Sequence, residues 1–373
     1  MKKILLAILV ISILCISLLY WSTSSTDKVF NTCSLVDGRE MDEIDFKKHD
    51  SVLLIPNTMY KSDNIKNTIQ GQQYRKAWAT PTKFPILFLD TLYGGVKVLE
   101  QGGGKQTHSL DLKAPNGIIY TLRSINKDPE ALIPEVAKLL HLENIVVDGI
   151  TAQHPYGAIL AAQLADAVGV LHTHPKAFFV PKQEALGEFN EKFGNRIFLL
   201  EYETEGKTNW TQIPNVLEIM DTDDLQELKK EHGKKVAINK SEFIKTRLFD
   251  MLIGDWDRHG KQWGWIVEQQ NENYLAHPLA GDRDNAFFNI DGLVPLLLSN
   301  KYIVPKMRPF EDDIDFFEGL VYRIDRYFLL NTNLSLFIDE AEKLQQTLTD
   351  EAIENAFKVW PKPIADLDQK EIS

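Results

Sequence analysis

The chain has 373 residues, 44% of them hydrophobic and 25% charged, with a net charge of −12. That length suffices for one large two-lobed domain or two smaller ones, and the composition is that of an ordinary globular protein. The acidic balance argues against nucleic acid as a partner, because affinity there rests on clustered Lys and Arg that neutralise phosphates. The two cysteines, Cys15 and Cys33, sit inside and just beyond an N-terminal apolar run. No internal disulfide, cysteine zinc site or Cys nucleophile is therefore expected in the folded body.

Lys2 and Lys3 precede that apolar run, which covers residues 4–21 and is broken only by Ser12 and Ser17. At about 1.5 Å per residue it nearly spans the hydrocarbon core of a bilayer. It is longer than a usual signal-peptide core, and no small-x-small site closes it. Residues 1–21 read as an uncleaved signal anchor, a transmembrane helix whose positive flank stays cytoplasmic. The body then lies outside the cytoplasm, periplasmic or extracellular. A cleaved signal peptide and a secreted body is the alternative. Residues 22–85 read as a polar tether and N-terminal extension. They hold a short strand at 51–55 and a segment at 72–81 packed by Tyr74 and Trp78.

Residues 96–101, the glycine turn Gly102-Gly103-Gly104-Lys105, and residues 108–112 read as strand, turn, strand. Asn116-Gly117 signals a second hairpin, and 118–125 reads as a third strand carrying Arg123, with Lys127 just past it. Glycines let backbone N–H groups approach phosphates closely, so a Cβ branch at Gly103 is expected to weaken nucleotide binding. The loop lacks the Gly-Lys-Ser/Thr of a Walker A motif. Helical spacing follows at 130–142 and 155–169, then strands at 177–181 and 196–203, the latter carrying Glu201 and Glu203. His154, His172 and His174 lack a clustered His/Asp pattern that would point to zinc. Residues 216–232 read as an amphipathic helix, 241–253 as a helix, 263–268 and 274–279 as a hairpin, and 310–330 and 334–348 as two further helices.

Two acidic knots punctuate this second half. The first is Asp255-Trp256-Asp257-Arg258-His259, with Gln262 after it, and the second is Asp282-Arg283-Asp284-Asn285-Ala286-Phe287. One carboxylate can orient a hydroxyl while another holds a phosphate-bound divalent metal.

The Asp-Arg-His run with a polar residue five after the Asp resembles the catalytic loop of atypical protein-kinase-like folds. Phosphatidylinositol kinases and secretory-pathway casein kinases carry such a loop. The Asp-x-Asp-x-Ala-Phe knot resembles the metal loop of CotH-type spore-coat kinases, with HipA-type kinases more distant in pattern. The resemblance covers roughly residues 96–288. It implies an α+β, two-lobed protein-kinase-like fold: an antiparallel small lobe over 86–205 and a mainly helical large lobe over 206–368, preceded by the transmembrane anchor.

The same resemblance implies ATP and Mg²⁺ or Mn²⁺ as cofactors. It gives Asp257 the role of orienting an acceptor hydroxyl on a protein, sugar or lipid, and gives Arg258 and His259 loop-shaping or phosphate-contacting roles. Asp284 matches the metal-binding Asp, with Asp282 as alternate or second ligand. Gln262 stands where many relatives carry a metal-binding Asn. Gly102, Gly103, Gly104 and Lys105 would line the phosphates. Arg123 or Lys127 would supply the cation, and Glu201 leads to the hinge that holds adenine. The acid that pairs with that cation is missing from the second helix, leaving Glu135 or Asp166. Three readings follow: an ATP-dependent phosphotransferase, a pseudokinase or nucleotidyl transferase on the same fold, or a calcium-binding envelope protein.

Overall fold

The computed structural model describes residues 2–26, 32–58, 60–103, 107–128, 130, 133–314 and 316–373. The apolar run forms α1 (Lys2–Ser22), with a mean hydropathy of 2.8 and none of its apolar window buried. It is long and apolar enough to cross a membrane, a property it shares with signal sequences.

Next, β1 (Ser34–Leu35), β2 (Ser51–Ile55) and β3 (Thr82–Pro85) make an antiparallel three-stranded sheet. Between the last two lie α2 (Asn64–Gln70) and α3 (Arg75–Ala79). The expected tether is thus folded from residue 34 onward, with Leu35, Phe46, Leu54, Tyr60, Trp78 and Phe84 buried. Its apolar residues are too widely spaced to show a period and form a core only once these segments pair.

A second sheet uses β4 (Lys97–Gly102), β5 (Ser109–Lys113) and β6 (Ile119–Ser124). After α4 (Glu135–Leu139), α5 (Glu143–Asp148) and α6 (Gly157–Val168) come β7 (Lys176–Val180), α7 (Asn190–Phe193) and β8 (Arg196–Tyr202). The five strands are antiparallel in the order β4-β5-β6-β8-β7. Alternation along β6 and β8 sends Tyr120, Leu122, Phe198 and Leu200 into one apolar core. Arg123, Leu199 and Glu201 therefore share the other face. The single helix expected at 130–142 divides in two, because His141 takes a left-handed φ of 52° after α4.

Gly103 corrects one expectation. It holds φ +110°, and a Cβ there would lie 2.2 Å from the Thr107 carbonyl oxygen. The turn itself requires glycine, whatever the phosphate requires, so a side chain at this position cannot isolate nucleotide contact. Gly104 and Lys105 lie outside the described residues.

The third sheet follows β9 (Val216–Asp221), α8 (Thr222–His232), β10 (Val236–Ile238), α9 (Lys240–Leu252), β11 (Trp263–Gln270) and β12 (Asn273–Ala280). Its order is β10-β12-β11-β9, with β10 parallel to β12 and the other pairs antiparallel. The helix expected at 216–232 starts only at Thr222. Residues 216–221 pair with β11 instead, and the Asp221 carboxylate caps α8 by accepting the Asp224 N–H at 2.7 Å.

The remaining helices are α10 (Leu293–Leu298), α11 (Arg323–Leu329), α12 (Leu334–Thr347), α13 (Asp350–Ala356) and α14 (Lys362–Ile372). The helix expected at 310–330 shrinks to α11. Phe310 instead donates its N–H to the Phe288 carbonyl at 2.7 Å, which commits its backbone to a loop pairing. Among the described residues the molecule is thus a mixture of helices and mainly antiparallel sheets. Its largest apolar cluster joins Phe46, Trp78, Ile159, Phe249, Phe287 and Trp360.

A buried polar knot ties the end of α1 to this body. Asp148 pairs with Lys66 at 2.9 Å and accepts from Arg75 at 3.0 Å and from the Thr26 hydroxyl at 3.1 Å. Lys66 also donates to Thr26 at 2.7 Å, and Gln70 donates to Ser22 at 2.8 Å. Removing the one carboxylate leaves two buried cations unpaired. Asp148→Ala should therefore cost about 3–5 kcal/mol, read as a lowered melting temperature of the full chain in detergent. A loss within the range of a surface pair, about 0–1 kcal/mol, would show the knot to be inconsequential.

Candidate functional site

The first acidic knot is positioned by α9. Its Asn239 cap accepts the Glu242 N–H at 3.3 Å. Phe243, Ile244, Arg247 and Asp250 all lie on its buried side. Asp250 is fully buried and receives three arginines: Arg247 at 3.2 Å, Arg258 at 3.2 Å and Arg283 at 3.0 Å. Burial opposes its ionisation, but the three guanidinium charges outweigh it and hold the carboxyl below its ordinary range.

Arg258 is itself fully buried. Besides Asp250 it pairs with Asp255 at 3.4 Å and donates to the carbonyls of Gly281 at 2.6 Å, Asp282 at 3.4 Å and Gln262 at 3.1 Å. Its guanidinium lies 4.9 Å from the Trp263 ring centre. Both terminal nitrogens are spent on the protein, and Nε faces Asp250 as an ion pair without a hydrogen bond, so Arg258 shapes both loops. His259 caps the short turn that follows, its Nδ1 accepting the Lys261 N–H at 3.3 Å.

The second knot faces β6. Asp282 holds a left-handed φ of 51°, a region that Asp enters more readily than most residues. Its carboxylate accepts from Arg123 at 3.2 Å, and the Gln262 side chain lies against it. Arg123 also donates to Glu201 at 2.7 Å, whose other oxygen bonds the Thr173 hydroxyl. Lys127 reaches Asp284 directly and donates to Thr107 at 2.9 Å. Burial opposes ionisation of Asp282, but Arg123 and Lys127 hold its carboxyl low. Asp284 moves the other way, raised by burial and by the charge of Asp282. Five basic side chains (Arg123, Lys127, Arg247, Arg258, Arg283) thus face six carboxylates (Glu201, Asp250, Asp255, Asp282, Asp284, Asp325). One carboxylate is in excess. Burial pushes Asp255 up to about 7, and its retained proton, or an added cation, balances the cluster.

The structure therefore gathers Arg123, Lys127, Glu201, Gln262, Asp282 and Asp284 in one network. Asp257 stands apart from it. Its loop is joined to the second knot through Arg258, but its own half-buried carboxylate accepts from Lys306 at 3.1 Å and from the Tyr322 hydroxyl at 3.3 Å. Neither Glu135 nor Asp166 pairs with the strand cations: Glu135 binds Lys138 and Asp166 binds His172. Arg123 pairs instead with Glu201, from the neighbouring strand β8.

The chemistry of this network fits a metal-bound phosphate. Arg123, Glu201, Asp282, Arg283 and Asp284 line one pocket. Of these residues, Asp282 Oδ1 and both terminal nitrogens of Arg283 are buried without a hydrogen-bond partner among the described residues, the Arg283 guanidinium lying 5.2 Å from the Phe249 ring centre. Carboxylate oxygens suit Mg²⁺ or Mn²⁺, and a guanidinium fork suits phosphate.

Sequence reasoning missed Asp250, Lys306 and Tyr322. The signal for Asp250 was present: Arg247 and Asp250 fall on the apolar stripe of α9, where charge is out of place. Lys306 and Tyr322 reach Asp257 from 49 and 65 residues away, and no local pattern announces that. The histidines also assemble further than expected, since ligand atoms of Asp166, His172 and His174 lie within 4.8 Å of one another. However, His172 Nδ1 accepts the His174 N–H at 3.0 Å, so the ring proton sits on Nε2, facing Asp166 at 2.9 Å. This is a His–Asp hydrogen bond with no lone pair of His172 left for a metal.

Two outcomes follow. Arg258→Met should destabilise the chain by about 3–5 kcal/mol, because it leaves the buried Asp250 and Asp255 carboxylates without this partner. An unchanged melting temperature would refute the clasp. For Asp255, the folded value of about 7 stands above the unfolded value of about 3.9. The stability tied to its proton is full below about pH 4 and is lost as pH rises to about 7. Melting of Asp255→Asn relative to the parent should therefore shift in the variant's favour across that window and level off above it. A pH-independent difference would return the Asp255 carboxyl to the ordinary range.

No family model matches the chain, and no curated protein is significantly similar to it in sequence. Among solved structures, the crystal structure of a Helicobacter pylori proinflammatory kinase, CtkA, is similar at a TM-score of 0.37 and 14% identity. The match covers 72% of this chain and 85% of that one, a likeness too slight to bear on the site.

Proposed function

We propose that this chain is a membrane-anchored, kinase-like phosphotransferase that uses ATP and Mg²⁺ or Mn²⁺ to modify a hydroxyl of a protein, glycan or lipid outside the cytoplasm. The small lobe is 86–205 and the large lobe 206–368. The observation that carries this reading is the pocket bordered by Arg123, Asp282, Arg283 and Asp284, two of which, Asp282 and Arg283, carry buried polar atoms without partners among the described residues. A metal–phosphate pair supplies both.

Asp282, Asp284 and Gln262 would hold the metal, which supplies charge neutralisation at the transferring phosphoryl group. Arg123, Lys127 and Arg283 would bind phosphate oxygens, and Gly102 and Gly103 would border them. Arg258 keeps the two loops in register. Asp257 orients the acceptor hydroxyl once Lys306 yields it. Lys2 and Lys3 set α1 with its N-terminus in the cytoplasm.

A second reading, a nucleotide-binding module without transfer or one with nucleotidyl-transfer chemistry, draws on the engagement of Asp257 by Lys306 and Tyr322.

One set of variants separates these readings. Asp284→Asn should lose the metal-dependent rise in melting temperature with ATP. Asp257→Asn should keep that rise and lose label transfer from γ-labelled ATP by about 10²–10⁴-fold. Transfer of α-label would favour nucleotidyl chemistry. No thermal response to nucleotide with either metal, or a response to Ca²⁺ alone, would end the kinase reading.

A further inference from the structure

We propose that the body is seated on the bilayer through a second contact made by α4 and α10, a proposal that rests on reading α1 as a membrane anchor. The sequence of α10 is Leu-Val-Pro-Leu-Leu-Leu, and none of its residues is buried. Leu293 is 60% and Leu297 69% exposed, and Tyr302 just beyond is 86% exposed. α4 likewise buries nothing, leaving Leu139 79% exposed. Full burial of one such side chain is worth about 1.5–3 kcal/mol, and soluble monomers rarely leave contiguous patches of this kind in water.

Lipid is the occupant because of where these faces stand. Both lie at the foot of α1. On one side, the Tyr20 hydroxyl bonds the Leu140 carbonyl, next to α4, and Asn144 donates to the Thr23 carbonyl at 3.0 Å. On the other side, Gln70 donates to Ser22, and the adjoining Gly71 packs against Gly292, the residue before α10. Asp291 fixes this junction by accepting the N–H groups of Gln72 at 2.8 Å and Gln73 at 2.9 Å. The leucines thus flank Tyr20 and Trp21, whose amphipathic rings suit the headgroup level. An apolar surface continuous with the end of a membrane-length helix is level with the interface that helix enters. Lys301 is the single charged residue in 293–303, and a cation there favours anionic headgroups.

The test uses the full chain with Cys15 and Cys33 replaced by Ala. Single cysteines are placed at Leu297, Leu139, Leu9 in α1 and Leu217 on β9. Each is labelled with an environment-sensitive dye and reconstituted in phosphatidylcholine–phosphatidylglycerol vesicles carrying nitroxide lipids. Leu297 and Leu139 should be quenched several-fold more than Leu217. Quenching at Leu9 with Leu297 and Leu139 no different from Leu217 would overturn the seating alone, whereas no quenching at Leu9 would overturn the anchor itself. Disulfide-linked dimers through Leu297→Cys without lipid quenching would assign the face to a second copy and also overturn the proposal. Should the Leu297 variant fold poorly, Tyr302→Cys takes its place with the same expectations.

Discussion

The buried guanidinium of Arg258 is the constraint on which the rest of the site depends. One side chain closes the end of α9, through Asp250, onto the loop after it, through Asp255, and onto the start of the second knot, through the Gly281 carbonyl. The cost of burying a charge is large, and it is offset here by the Asp250 and Asp255 carboxylates, by the carbonyls of Gln262, Gly281 and Asp282, and by the Trp263 ring. The β11–β12 register already brings Gln262 beside Gly281, pairing Trp263 with Ala280 and bonding the Gly281 N–H to the Gln262 carbonyl at 3.1 Å. The clasp adds the tie from both loops to the end of α9.

A second constraint follows from the sheet. Period-two alternation sends the apolar residues of β6 and β8 to one side, which forces Arg123 and Glu201 onto the side facing the acidic knot. There the acids do not share one fate. Asp282 is drawn down by two cations, while Asp284, burdened by burial and by Asp282, is pushed up. Neighbouring carboxylates of opposed tendency are suited to different partners, one a permanent anion and the other ready to exchange Lys127 for a stronger cation.

Much of this was legible from residue order, and the failures have physical causes. Strand and helix patterns located α6, α9 and the β11–β12 hairpin, because each carries a run of apolar residues that is buried in the fold. The glycine turn, the strand cation and the two acidic knots were visible as composition. What stayed hidden depends on tertiary pairing. Residues 34–85 carry too few apolar residues per segment to reveal a core. Residues 216–221 satisfy a helical pattern until β11 offers backbone partners. Nothing in the strand of Glu201 shows that Arg123, diagonal to it on β6, reaches its carboxylate. The partners of Asp257, Lys306 and Tyr322, arrive from distant segments.

The polar knot at the foot of α1 also governs how the chain can be shortened. Thr26 bonds both Lys66 and Asp148, and Ser22 accepts from Gln70. A cut after residue 26 would strip hydroxyls from a buried pair of charges and expose it to water it cannot fully use. A cut just before Ser22 would keep every one of those bonds while discarding the apolar helix. The border between the apolar helix and the folded body thus falls at Ser22, the last residue of α1 and the first after the apolar run, and a shortened chain that keeps the knot begins there and not after residue 26.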